Sequence, residues 1–191
     1  MFEFESQEAW SASFKLATNS LRASDVRDEL DVHQIAAPKD LAANAMAACA
    51  NVIAGQLHSA DAGEGRIVFL RDDKQVEAWG GSSRVICFIK SSLEAHIAND
   101  ERLAEIAWNW LSEALRQRGA DYFAEAGTAT RIHSTGFGGL SNDPDHAEIE
   151  IRASWSPKGD NLRPHLEAFQ DLVCMVSGLP HLPTGVGSIG R

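Results

Sequence analysis

The chain has few of the residues that mark specialised classes of protein. Among its 191 residues are three cysteines, which are widely spaced and form no C-x-x-C pair, so neither a disulfide framework nor a metal site is expected. No apolar run approaches the roughly 18 residues of a transmembrane helix. Residues 1–8 are acidic and lack the basic and apolar regions of a signal peptide. We therefore expect buried, reduced cysteines in a cytoplasmic protein that does not bind membranes.

Positive charge is also scarce. The chain carries 17 Lys and Arg against 27 Asp and Glu, a net charge of -10, and its basic residues are scattered. Nucleic-acid phosphates require clustered Lys and Arg, so direct nucleic-acid binding is not expected. No Walker A, H-E-x-x-H or G-x-S-x-G motif occurs. The G-x-G-x-x-G match at 185–190 cannot precede the helix that a dinucleotide needs, so we expect no cofactor.

Regular alternation of apolar and polar residues is the chain's most informative feature. It is clearest in residues 146–157, where the apolar positions are Ala147, Ile149, Ile151, Ala153 and Trp155. Because strand side chains alternate between faces, this pattern predicts a strand with one buried and one hydrated, charged face. Such strands are typical of antiparallel sheets that helices cover on one side.

The same reasoning divides the whole chain into elements. Helices are predicted at about 6–21, 38–54, 100–119 and 160–177, and strands at 30–35, 66–71, 75–79, 83–90, 122–134 and 146–157. The two strands 66–71 and 75–79 would form a hairpin about the polar turn 72–74. We predict an α+β fold in a single domain, residues 1–191, with an antiparallel five- to six-stranded sheet and helices mainly on one face. Residues 179–191 would form an extended C-terminal arm.

Several short phrases resemble a known family. They are Ala-Trp-Gly-Gly (78–81), Trp-Asn-Trp-Leu-Ser-Glu-Ala-Leu (108–115), Phe-Gly-Gly-Leu (137–140), Glu-Ile-Arg-Ala-Ser-Trp (150–155) and Gly-Leu-Pro (178–180). Together they resemble the DUF3000 family of uncharacterised actinobacterial proteins over nearly the whole chain. The resemblance implies a cytoplasmic protein without an assigned activity, and it brings no catalytic residues to carry over.

One group of polar residues suggests a ligand or metal site. If strands 122–134 and 146–157 form a hairpin, these residues would converge at its end: Arg131, His133, Asp143, Asp145 and His146. Imidazole and carboxylate groups can hold a divalent metal or transfer protons. The alternative is an ordinary turn, in which Asx side chains bond to the local backbone and proline fixes φ. The other histidines, including His33 and His165, are expected at the surface.

Aromatic residues indicate possible interfaces. Trp79 and Trp108 lie off the predicted apolar stripes, and Phe137 lies between glycines in the loop 136–145. Exposed aromatic residues are enriched at interfaces, although Phe137 could instead pack as a satellite of the core. These features favour a non-catalytic binding or adaptor module that forms a homodimer and binds a protein partner. The alternatives are a small-molecule or metal-dependent enzyme with its site at 131–146, and an accessory to an enzyme that acts on RNA.

Overall fold

The computed structural model describes residues 1–53, 63–93, 97, 100–142 and 145–179. Its six strands are β1 (Leu30–Ile35), β2 (Asn44–Val52), β3 (Glu64–Arg71), β4 (Ser83–Leu93), β5 (Tyr122–Ser134) and β6 (His146–Pro157). They form one sheet in the order β1-β2-β3-β4-β6-β5, and every neighbouring pair is antiparallel. The helices are α1 (Ala12–Asn19), α2 (Val76–Trp79), α3 (Leu103–Gln117) and α4 (Arg163–Val176). The predicted α+β fold with one antiparallel sheet is confirmed.

The helices bury one face of the sheet, which we call the helix face. Alternate residues of the central strands, such as Ile67, Ile89 and Ile151, are fully buried there beneath α3 and α4. The opposite face, which we call the open face, carries the intervening residues, including Arg66, Lys90 and Glu150. The alternation seen in the sequence thus corresponds to burial, as expected for a sheet covered on one side.

The predicted helix at 38–54 is wrong, because its second half forms the strand β2. Alanine favours helices in isolation, but tertiary packing overrides that weak preference. Here α4 crosses β2 and β3 so closely that a Cβ atom on Gly65 would lie 2.6 Å from Val173 Cγ2. The small residues Ala48 and Ala50 of β2 are both fully buried on the same face, where they leave room for the helix.

The predicted strand at 75–79 is also wrong. These residues form a 3₁₀ turn, Asp73–Gln75, followed by α2, and β3 pairs with β4 instead. Gly80 ends α2 in the left-handed region at φ 69, and a Cβ there would lie 2.8 Å from the Phe123 ring. The first helix is shorter than predicted, since it begins after Ser11, whose hydroxyl accepts a hydrogen bond from Phe14 N.

The expected surface position of His165 is wrong as well. His165 is 1% exposed in α4, and the Trp155 indole donates a hydrogen bond to its Nδ1 at 3.1 Å. Burial lowers the pKa of His165 to about 4. His33, in contrast, has a side chain that is 52% exposed.

The predicted arm lies outside the described residues from position 180 onward, as do His96 and His181.

Candidate functional site

The predicted hairpin of β5 and β6 exists, but its register separates the two histidines at its end. Ser134 lies opposite His146, and His133 lies opposite Ala147. Directly opposed residues share a face of the sheet. Ala147 is buried on the helix face, so His133 lies on that face and His146 lies on the open face.

The other residues predicted at the hairpin end are similarly divided. Arg131 lies on the helix face, and its Nη1 donates to the carbonyl oxygen of Asp100 at 2.8 Å. On the open face, the Glu148 carboxylate contacts His146 Nε2 at 2.9 Å and Lys90 Nζ at 2.7 Å. Asp145 is exposed, and Asp143 lies outside the described residues. Among the residues that the structure describes, no group of three or more His, Cys, Asp or Glu side chains is placed to hold a metal ion.

The three aromatic residues predicted at interfaces differ in their surroundings. Trp108 on α3 is half-buried, and a Cβ atom on Gly127 would lie 2.7 Å from its ring, so the ring packs closely against β5. Trp79 is also half-buried, and its carbonyl oxygen accepts a hydrogen bond from Ser156 Oγ at 2.7 Å. Phe137 is 81% exposed beside Leu140, at the turn of the hairpin. Of the three, Phe137 alone projects into solvent.

The outer edge of β5 is the longest strand edge left unpaired by the described residues. β5 has 13 residues and pairs only with β6, and its residues 124–128 are all exposed. An edge strand presents a row of backbone N–H and C=O groups to which another strand can bind. The other edge strand, β1, has only 6 residues, and the side-chain amide of Gln34 bonds to both backbone groups of Glu5 beside it.

A β-bulge marks one end of this edge. Phe123 lies opposite Ser156 and Ala126 opposite Ser154, so Ala124 and Glu125 together face Trp155. Ala124 adopts a left-handed φ of 52. Arg84 holds the bulge, because its Nη1 donates to the Ala124 carbonyl oxygen at 2.8 Å. Regular strand geometry therefore begins at Ala126 and runs towards the hairpin turn.

The open face beside β5 carries an apolar band. The register aligns one row of small or apolar residues across the sheet, namely Ile35, Ala47, Val68, Ile86, Ser154 and Ala126. At the β5 end of this row is a shallow hollow of about 530 Å³, lined in part by Ile86, Phe88 and Arg152. The Arg152 guanidinium lies 5.1 Å from the centre of the Phe88 ring. The hollow is thus apolar with a cation at its rim.

The structure also contains a buried ionic network that the sequence analysis did not predict. Asp171 and Glu167 of α4 are 2% and 7% exposed. Asp171 accepts hydrogen bonds from Arg27 at 3.1 Å and from Arg118 Nη2 at 2.8 Å, and Glu167 pairs with Arg163 at 2.7 Å. The network joins the segment before β1 and the end of α3 to α4. The charged residues beside the apolar stripe of α4 are the sequence feature from which this network could have been predicted.

The network also shifts the pKa values of its members. A hydrogen bond from Arg27 is the main cause that lowers the pKa of Glu29 below its ordinary value. Burial by itself lowers the pKa of Arg27, but its hydrogen bonds to Glu29 and Asp171 raise the pKa overall. Arg27 and Glu29 both remain charged at neutral pH, so we interpret the network as structural.

Comparison with known proteins gives one match. The model of a family described as a protein of unknown function, DUF3000, matches residues 10–187. No curated protein and no solved structure matches the chain. In the described part of the chain, no helix is long and apolar enough to cross a membrane.

Proposed function

The chain belongs to the DUF3000 family, whose function is not assigned, and we propose that it is a non-catalytic binding module that self-associates through the outer edge of β5. The observation that carries this proposal is the length and exposure of that edge, with 13 residues in the strand and residues 124–128 all exposed. Long uncovered edges are otherwise blunted in natural proteins, because they pair readily with other strands.

Charge placement along β5 favours a two-fold pairing centred on Thr128. Two antiparallel copies in this register place Thr128 opposite the partner's Thr128, and they bring Glu125, at the end of the bulge, beside the partner's Arg131. By symmetry the Glu–Arg pair forms twice, and both residues are exposed. Arg131 would form this pair in addition to its hydrogen bond to the Asp100 carbonyl oxygen. Between them lie only Ala, Gly and Thr residues, which bring neither like charges nor bulk to the contact.

A pairing centred on Thr130 is less favourable. It would place Arg131 diagonally across from the partner's Arg131 on the same face of the sheet, where like charges repel. The register centred on Thr128 is therefore favoured, because it places opposite charges side by side. It pairs fewer residues of β5 beyond the bulge.

This pairing also supports an adaptor role. A two-fold axis perpendicular to the sheet keeps the open faces of both copies on one side, so the apolar bands that end at Ala126 would reach the interface from both sides, four residues out of register with each other. A protein partner would bind this enlarged surface.

The three cysteines are free and buried, as is usual in a reducing compartment, which supports a cytoplasmic location.

Charge reversal at the edge tests the proposal. We expect sedimentation velocity to show a dimer for the unmodified chain at micromolar concentration. Glu125→Arg and Arg131→Glu should each weaken the dimer about tenfold, because each single change converts two attractive pairs into two repulsive ones. The double variant should restore dimerisation.

The control is Glu5→Arg, which reverses an exposed charge beside β1 at the opposite edge of the sheet and should leave the association unchanged. A chain that stays monomeric throughout the concentration range would contradict self-association. A dimer that all of these variants leave intact would contradict this interface.

A further inference from the structure

Three reactive side chains meet on the open face at the opposite side of the sheet from β5. Asp31 and His33 are two residues apart on β1, so they point to the same face. The register of β1 and β2 places Cys49 directly opposite His33. Strand alternation and register together therefore bring a carboxylate, an imidazole and a thiol into one group. The most distant two, Asp31 and Cys49, are 18 positions apart in the chain.

The geometry of the group matches a nucleophile, a base and an orienting acid. Cys49 Sγ lies 3.1 Å from His33 Nε2, and His33 Nδ1 lies 3.4 Å from Asp31 Oδ2. The carboxylate favours the tautomer with its proton on Nδ1, which leaves Nε2 free to accept the thiol proton. Asn51 Nδ2 contributes a weaker contact to the sulfur at 3.8 Å.

The surroundings limit the chemistry of this thiol. β2 is an interior strand that pairs with β1 and β3, so its backbone N–H groups lie in the two ladders and do not point to an oxyanion that would form beside the sulfur. Acyl transfer, which develops an oxyanion, is therefore poorly supported. Substitution at a disulfide sulfur creates no oxyanion and needs only a thiolate with access to its target.

Access distinguishes Cys49 from the other two cysteines. Cys49 is 8% exposed, next to the half-exposed His33, whereas Cys87 is 1% and Cys174 0% exposed. Burial raises the pKa values of the Cys87 and Cys174 thiols to about 12. These two thiols should be inert in the folded protein.

We propose that Cys49, with His33 as its base and Asp31 as a positioning residue, is a reactive thiol that exchanges with low-molecular-weight disulfides. In this reaction His33 Nε2 takes the thiol proton while Sγ attacks one sulfur of the disulfide. The S–S bond of the reagent breaks as the mixed disulfide with Cys49 forms. The departing thiolate then receives the proton from His33, so the reagent is reduced to one thiol and Cys49 is oxidised.

The protonation state of the thiol explains why it needs a base. Burial raises the pKa of Cys49, and the charge of Asp31 acts in the same direction. Arg66, which faces Cys49 from β3, opposes this shift, and Glu64 lies diagonally across the same strand pair. The thiol therefore stays protonated at neutral pH, and the reaction depends on proton transfer to His33 until the pH exceeds the thiol pKa.

The test is the rate of reaction of the folded full-length chain with dithiodipyridine, an uncharged aromatic disulfide, followed by mass mapping of the modified residue. We expect one fast-reacting thiol, identified as Cys49 and absent from Cys49→Ser. His33→Gln should lower the rate at neutral pH about tenfold or more, and the difference should disappear at alkaline pH, where no base is needed. A purely structural role for His33 would not produce that pH dependence.

Asp31→Asn provides a second variant that tests the positioning role independently. It should slow the reaction at neutral pH, because the loss of the positioned base outweighs the lower thiol pKa that removal of the charge brings, whereas the control Asp28→Asn, at an exposed residue just before β1, should not. Circular dichroism of each variant establishes that it is folded. Modification of Cys87 or Cys174 at the same rate as Cys49, or equal rates for wild type, His33→Gln and Asp31→Asn at neutral pH, would overturn the proposal.

Discussion

Replacing Asp171 with asparagine should destabilise the protein much more than the same replacement at Asp25. The Asp171 side chain is 2% exposed and faces two guanidinium groups, those of Arg27 and Arg118. Asparagine keeps the size of the side chain but removes its charge. Two largely buried cations would then lose the carboxylate that they share. Asp25, by contrast, is 82% exposed and pairs with Arg163 at 3.4 Å.

The geometry of the network sets the expected magnitude. Removal of one partner from a buried ion pair typically costs about 3–5 kcal/mol. Glu29 still pairs with Arg27 at 2.8 Å, and Glu167 still lies 3.5 Å from Arg118, so the lower end of that range, about 3 kcal/mol, is expected. In a chain of this length such a loss lowers Tm by roughly 6–12 °C. The exposed pair of Asp25 should contribute less than about 1 kcal/mol.

Urea unfolding followed by circular dichroism measures both variants. All samples should have one protein concentration and neutral pH, because self-association would add a concentration-dependent term to the free energy of unfolding. Equal losses of unfolding free energy in Asp171→Asn and Asp25→Asn would refute the reasoning. Such a result would mean that the buried network contributes no more to stability than a surface ion pair.

Two further predictions concern packing against α4. His165 should remain neutral in the folded chain down to pH about 4, whereas in the unfolded chain it takes up a proton near pH 6.5, so stability should fall by roughly 3 kcal/mol as the pH falls through that window. Urea unfolding at several pH values should give a shallower dependence for His165→Gln, and an unchanged slope would assign the effect to other groups. Gly65→Ala should cost about 1–3 kcal/mol, because the new methyl group would overlap Val173 and Phe169, while Gly139→Ala, which meets open space, should be close to neutral by thermal unfolding. Similar melting temperatures for the two glycine variants would contradict the close approach of α4.

The elements that the sequence predicted correctly are those in which local pattern and burial agree. In β6 each apolar residue lies on the helix face and each charged residue on the open face, so alternation along the chain was sufficient. In β2 both faces are largely buried, which removes the alternation, and alanine then resembles a helix former. The identity of β2 depends on the close approach of α4, which is determined by residues more than 100 positions later in the chain.

The candidate sites were missed for a related reason. Residues 122–134 were correctly predicted as a strand, but only the order of the strands in the sheet makes β5 an edge. The Cys49–His33 contact depends on the register of β1 and β2, and the Arg27–Asp171 pair joins residues 144 positions apart. Conversely, proximity in the chain suggested that His133 and His146 converge, whereas a register that differs by one residue places them on opposite faces.

The proposed binding edge consists mainly of backbone groups, which would account for the absence of a recognisable functional motif. Along residues 126–130 of β5 the side chains are those of Ala, Gly and Thr, which carry little chemistry, while the unpaired N–H and C=O groups provide the bonding capacity. Such a site requires small, uncharged side chains at its centre and compatible charges at its ends. Glu125 and Arg131 meet that requirement in a chain whose net charge of -10 would otherwise oppose self-association. The proposal therefore depends on the local balance of charge along one edge and not on the overall composition.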